Sequence, residues 1–154
     1  IQTQKIIRQY THNKICVPNL LEYDNSVQIF EKLQGVKYQP DQFPVSENLA
    51  FELGEFIGQL HQNRYDGYGT ISNHKQKGFK QKFITSMQQR IMKHFSDRDD
   101  VKHYLSEAEQ KMQEPTIYSL IMPDISANQF LFSEDLEHIV AVVDLDAYVI
   151  GPRE

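Results

Sequence analysis

Apolar residues return every three or four positions along the middle of this chain, then gather into short unbroken runs near its end. Spacing of the first kind lays an apolar stripe along a helix, while a bounded run of four to eight apolar residues suits a buried strand. Ser46 is a suitable helix cap, and after it Leu49, Ala50, Leu53, Phe56, Ile57 and Leu60 form a first stripe. Phe79, Phe83, Ile84, Met87, Ile91 and Phe95 form a second. Residues 97–113 carry a third, Val101, Tyr104, Leu105, Ala108 and Met112, with acids in the first turn where the helix dipole favours them. All three stripes read as core faces. The intervening NRYDGYGTISN reads as a loop by its Gly, Asp and Asn content, and Pro115 closes the helical region.

The two ends of the chain read differently. Residues 2–13 are polar with Ile6, Ile7 and Tyr10 at helical spacing, after which KICVPNLLEYD turns extended because Pro18 biases Val17 away from helix. Asp24 and Asn25 supply turn residues, and VQIFEKLQG reads as a second strand closed by Gly35. Near the other end, residues 118–123 form an apolar run followed by Asp124, and residues 139–143 form another that ends at Asp144. Paired as a hairpin, these runs bring Asp124, Asp144 and Gln129 to one edge. Two acids and an amide there suit a hard cation such as Mg²⁺, with one carboxylate left as a base. Phosphoryl transfer needs little more than such positioning and charge neutralisation.

Composition narrows the classes. At 154 residues, with 40% hydrophobic and 24% charged residues, the chain suits one globular domain. No apolar run approaches a membrane span and no signal peptide is visible. The single Cys16 excludes an intrachain disulfide framework and points to a reducing cytoplasm. A net charge of -5 argues against nucleic acid as partner. The six histidines show no HExxH spacing, and no GxSxG elbow is present, so zinc protease and serine hydrolase chemistry have no support.

Taken in order, these segments resemble the aminoglycoside phosphotransferase and choline kinase family of the protein-kinase-like fold. Its catalytic loop reads like HGDLHPGNIL, and a following strand ends in IDWE. Laid on that pattern, Met122, Pro123 and Asp124 of IMPDISANQFLF take the places of the family's His, Gly and Asp. Gln129 falls at the metal-binding amide, Asp144 at the metal-binding acid and Asp146 at the acid two residues on. FEKLQG resembles the hinge, IGQLHQN the LH helix end and GYG the loop beyond it.

The resemblance implies an α+β fold with hinge strands and a mostly helical carboxy-terminal lobe carrying a catalytic-loop hairpin. Residues 1–35 would close the amino-terminal lobe and hinge, and residues 36–154 would form the helical lobe. It implies transfer of phosphate from ATP or GTP, with Mg²⁺, to a hydroxyl group of a small molecule. Asp124 would orient or deprotonate that hydroxyl, while Gln129 and Asp144 hold the metal, with Asn128 the alternative amide. Phe30 would sit at the back of the adenine pocket, the backbones of Glu31 and Leu33 would face the adenine edge, and Leu131 would add a further nucleotide contact. The glycine-rich loop and strand lysine would precede Ile1, and further helices would follow Glu154, so the chain reads as part of a longer protein. The glutamate that holds the lysine would fall on the first helix, where Gln2 and Gln4 stand. Neither the acceptor nor the oligomeric state is fixed by these residues.

Two other readings stand beside this one. A strand ending in Asp144, Leu145 and Asp146 also resembles the first motif of haloacid-dehalogenase phosphatases, but there the motif opens the domain. Replacement of the family's His, Gly and Asn suits a kinase-like domain that binds nucleotide or a partner without transfer. His61 reads as a structural histidine, because no metal set or nucleophile lies near it in the sequence.

Overall fold

The computed structural model describes residues 2–11, 14–24, 26–39, 46–146 and 148–153. Asn25 and residues 12 and 13 of the first expected helix lie outside them. Four helices and nine strands follow in the order α1 (Gln2–Thr11), β1 (Leu20–Tyr23), β2 (Gln28–Phe30), β3 (Val36–Lys37), α2 (Glu47–Leu60), β4 (Tyr68–Thr70), β5 (Asn73–Gln76), α3 (Phe79–His94), α4 (Asp99–Lys111), β6 (Tyr118–Ile121), β7 (Phe130–Phe132), β8 (Ile139–Val142) and β9 (Val149–Pro152). The class is α+β, and every pairing between these strands is antiparallel.

Three sheets share the strands. β1 and β2 form a hairpin, β3, β7 and β8 a three-stranded sheet, and β5, β4, β9 and β6 a four-stranded one. The segment after α1 joins β8 through Cys16, whose N–H donates to Val140 O at 2.8 Å and whose carbonyl accepts from Val142 N at 3.0 Å. α2 forms as its stripe predicts. Ser46 caps it by accepting from Leu49 N at 3.3 Å, and the Ser46 hydroxyl donates to Glu137 Oε2 at 2.8 Å. Its buried face, Leu49, Phe56 and Leu60, meets the three-stranded sheet, with Phe56 and Phe130 edge to face at 5.8 Å. Fully buried Ile7, Leu120, Val142 and Ile150 complete a core spanning α1, α2 and both larger sheets.

The strand pairing differs from the expected hairpin. The run 118–123 does not pair with 139–143: β6 pairs with β9, and β8 pairs with β7, a strand hidden inside QFLF. All three β7 residues are buried, so no alternation marks them in the sequence. The glycine-rich stretch expected as a loop instead holds the β4–β5 hairpin. Gly69 sits there at φ 141°, and a Cβ on it would collide with Asn73 O.

The outer helices also depart from expectation. Among the described residues α4 has no buried side chain, and Tyr104 is 67% exposed. α3 buries only Ile84 and Ile91, while Phe83 and Phe95 stay exposed. The two helices pack chiefly on each other, so their outward apolar residues meet no third layer. α3 begins at Gly78 with no cap of its own. Glu114, from the α4–β6 connection, caps it instead, accepting from Phe79 N at 2.7 Å and Lys80 N at 2.9 Å while Tyr118 Oη donates to it at 3.0 Å. Those backbone donors hold its carboxyl below the usual range.

Candidate active site

Two crossovers run side by side between the larger sheets. One leads from β6 to β7 through residues 122–129, and the other from β8 to β9 through residues 143–148. Register places them together: Ile121 pairs with Val149 in one sheet, and Phe130 with Val142 in the other. Asp124 and Gln129 on one crossover and Asp144 on the other are therefore carried by neighbouring loops, although the strands that hold them are not those the sequence suggested.

Along the first crossover Met122 is 8% exposed and belongs to the core cluster, so an apolar side chain suits this position. Pro123 and Asp124 then turn out to solvent, and the Asp124 carboxylate accepts no hydrogen bond among the described residues. Residues Ala127–Gln129 form one 3₁₀ turn closed by a capping box. In it the Ser126 side chain accepts from the Gln129 backbone, and Gln129 Oε1 accepts from Ser126 N at 2.9 Å. Gln129 is 6% exposed, whereas Asn128 faces solvent. Val143 N donates to the Gln129 carbonyl at 2.8 Å, tying the amide residue to the one before Asp144.

On the second crossover Asp144 is exposed, and its Oδ1 accepts from Asp146 N at 3.2 Å, an aspartate turn that curls the chain back. Leu145 beneath it is buried. Tyr148, 4% exposed, buries a hydroxyl with no hydrogen-bond partner among the described residues. Burial, and secondarily the Asp144 charge, pushes its phenol up. Sequence reasoning passed over Tyr148, since a tyrosine between two apolar runs reads as packing. Among the described residues no three His, Cys, Asp or Glu side chains converge on a metal-binding geometry. Of the residues expected to hold a cation, Asp144 engages only Oδ1 among the described residues, and Gln129 Oε1 already accepts from Ser126 N.

The residues expected to form a hinge lie at and after the end of β2. Phe30 ends β2 and is 38% exposed. Glu31 N donates to Asn19 O at 2.8 Å, and Asn19 Nδ2 donates to the Glu31 carboxylate at 2.7 Å, which lowers the pKa of Glu31. Half-buried Leu33 makes no backbone hydrogen bond among the described residues. Gly35 follows at φ 147°, so close to β7 that a Cβ would lie 2.8 Å from Leu131 Cβ and 2.9 Å from Val140 Cγ2. Leu131, 7% exposed, thus packs directly beneath Gly35.

Other singled-out side chains have structural roles. Gln4, buried on α1, donates through Nε2 to Pro18 O at 2.8 Å. His61 caps the end of α2, its carbonyl accepting from Ser119 Oγ at 3.2 Å and Arg153 at 3.5 Å. Burial, then the Arg153 charge, holds its imidazole below the usual value. A cleft of about 950 Å³ opens beyond Pro123, walled by β9 and by Tyr68, Phe79, Phe83 and Met112. No helix among the described residues is long and apolar enough to cross a membrane.

No family model and no curated protein matches the chain. Solved structures do. The streptomycin–ATP complex of APH(2'')-IIa aligns over 98% of this chain with a TM-score of 0.62 and 17% identity. ADP-bound aminoglycoside phosphotransferase APH(2'')-Ib gives 0.61 and 16%, again over 98% of this chain. The macrolide 2'-phosphotransferase MphH from Brachybacterium faecium gives 0.68 and 14% over the same share. The chain spans about half of each, 55%, 56% and 53% respectively. What the chain shares with these aminoglycoside and macrolide phosphotransferases is their kinase-like fold, over nearly its whole described length.

Proposed function

We propose that this chain is the catalytic-loop portion of a phosphotransferase that moves a phosphoryl group from ATP or GTP to a hydroxyl of a small molecule. The observation that supports the reading is the pair of adjacent crossovers, one carrying Asp124 and Gln129 and the other Asp144, in a fold shared with antibiotic phosphotransferases. The neighbouring APH(2'')-IIa structure is a ternary complex with streptomycin and ATP, which supports a nucleotide and a small hydroxylated acceptor here.

On this reading residues 1–35 close the amino-terminal lobe and hinge, and residues 36–154 form the helical lobe. Asp124, exposed and unencumbered, takes up the acceptor proton or aligns the hydroxyl for attack. Glu31 and Leu33 present backbone groups to the nucleotide base, with Phe30 behind it and Leu131 beneath. Gln129 and Asp144 would hold Mg²⁺, whose charge would neutralise the phosphate oxygens. The cleft beyond Pro123 gives the acceptor room beside the base.

A second reading, nucleotide binding without transfer, is favoured by one observation. Gln129 Oε1 already serves the capping box, so it is a shared ligand at best. Supplying the complete protein with Mg²⁺, ATP and a panel of hydroxylated small molecules separates the two. We expect phosphorylated product, and a fall of about 10²-fold or more in Asp124→Asn. Transfer that Asp124→Asn leaves unchanged rules out this base, and nucleotide binding without product on any acceptor favours the second reading.

A further inference from the structure

The cleft beyond Pro123 encloses about 950 Å³, toward the upper end of the roughly 300–1,000 Å³ that small-molecule pockets span. Its wall is mostly carbon: Tyr68, Phe79 and Phe83 supply aromatic rings, and Met112, Ile121 and Ile150 add aliphatic surface. The rings form one bank. Tyr68 and Phe79 meet edge to face at 5.2 Å, and Phe79 and Phe83 stack at 5.9 Å with 18° between their planes. Apolar surface is stabilised by leaving water, so a bank of rings left open one residue from Asp124 marks a place for apolar matter.

The charges in the cleft narrow what that matter can be. Among the described residues two charged side chains line it, Lys82 and Glu114. Glu114 is already engaged by Phe79 N, Lys80 N and Tyr118 Oη, and its charge offsets the dipole at the start of α3. The Lys82 ammonium lies 5.1 Å from the centroid of the Tyr68 ring and donates to Gln76 Oε1 at 3.1 Å. An ammonium has three donors, so Lys82 keeps one for an oxygen on a ligand. A ligand with several ammonium groups would instead set charges against carbon and meet Lys82 as a like charge.

We propose that the acceptor is a largely apolar ring compound without positive charge, seated on the bank of Tyr68, Phe79 and Phe83 with an oxygen toward Lys82 and its reacting hydroxyl toward Asp124. The inference rests on the phosphotransferase reading above and names the acceptor class for it. The acceptor oxygen bonds the terminal phosphorus of the nucleotide, the bond to the bridging oxygen breaks, the nucleoside diphosphate leaves, and Asp124 receives the hydroxyl proton.

The test offers the complete protein two panels, steroid diols and flavonols against polyamino sugars. Binding is measured without nucleotide by saturation-transfer nuclear magnetic resonance, and transfer with Mg²⁺ and ATP by the mass of the product. The ring compounds are expected to bind about 10-fold more tightly or better and to be the ones phosphorylated. Phe83→Ala, at a 43% exposed position, is expected to weaken their binding about 10-fold. Lys82→Glu, which adds a carboxylate at an exposed position of α3, is expected to narrow the preference over polyamines about 10-fold or more, and it carries the test should Phe83→Ala fail to fold. Polyamino sugars phosphorylated as well as the ring compounds overturn the inference and leave the phosphotransferase reading standing. Ring compounds that bind through the cleft but yield no product, with no product from polyamines either, support the ligand class and refute transfer. Binding by neither panel, or a preference that both variants leave unchanged, overturns the inference.

Discussion

Replacing Gln129 by Ala separates a structural amide from a purely ligating one. Gln129 is 6% exposed, and its Oε1 accepts from Ser126 N at 2.9 Å. Truncation strands that partly buried N–H, at about 1 kcal/mol net. It also removes one buried methylene, about 0.8 kcal/mol, for a total of about 2 kcal/mol. A chain of 154 residues has an unfolding entropy of roughly 0.3 kcal/mol per kelvin. The melting temperature should therefore fall by about 6 °C, read by circular dichroism without added metal. Gln129→Glu is the control: a carboxylate of the same length still accepts from Ser126 N, so it should melt close to wild type. Gln129→Asn is too short to close the box and should fall with Ala. If Gln129→Ala melts with wild type, the capping box contributes nothing and the residue is free to serve as a ligand alone.

Two further substitutions test the frame around the site. Gly35→Ala puts a Cβ 2.8 Å from Leu131 Cβ at a φ of 147°, so it should lose about 2 kcal/mol or more from backbone strain and overlap; urea unfolding that matches wild type would refute the packing of Gly35 on β7. The His138–Glu52 pair, 2.7 Å apart, gives a pH signature. Glu52, by its hydrogen bond and then its charge, raises the His138 pKa above 6.5. The folded state thus binds that proton more tightly than the unfolded state does. The pair's stabilisation is fully present below pH 6.5 and is lost as the pH rises through the higher folded value. Melting curves between pH 5 and 9 should show this decline, and Glu52→Gln should flatten it; an undiminished slope in Glu52→Gln would assign it to other groups.

How much of this was legible in the sequence depended on length and on partners. α2 was readable because its stripe faces one continuous core, and Ser46 marks its start with a chemical signal. α3 and α4 carry stripes of the same kind, but periodicity states only that a face is apolar, not that anything covers it. The strands were harder. β7 has three residues, all buried, and β9 pairs with β6 across residues 122–148, so no local pattern selects that partner over β8. The turns that carry Asp124 and Asp144 were nonetheless legible, since each falls where an apolar run ends. The use of Gln129 as a cap escaped notice. Ser126 and Gln129 have the S-x-x-Q spacing of a capping box, but no helical apolar stripe follows to mark it as a helix start.

The Glu114 clamp has a consequence for how this part of the chain can change. By holding the amides of Phe79 and Lys80, it brings the two ends of the α3–α4 segment together, so residues 79–114 leave and re-enter the domain at nearly one point. A segment with adjoining ends can be shortened, lengthened or exchanged for another helical pair while the strands on either side keep their register. The wall of the cleft that α3 supplies is in this sense part of a detachable cassette, free to vary while the crossovers stay fixed.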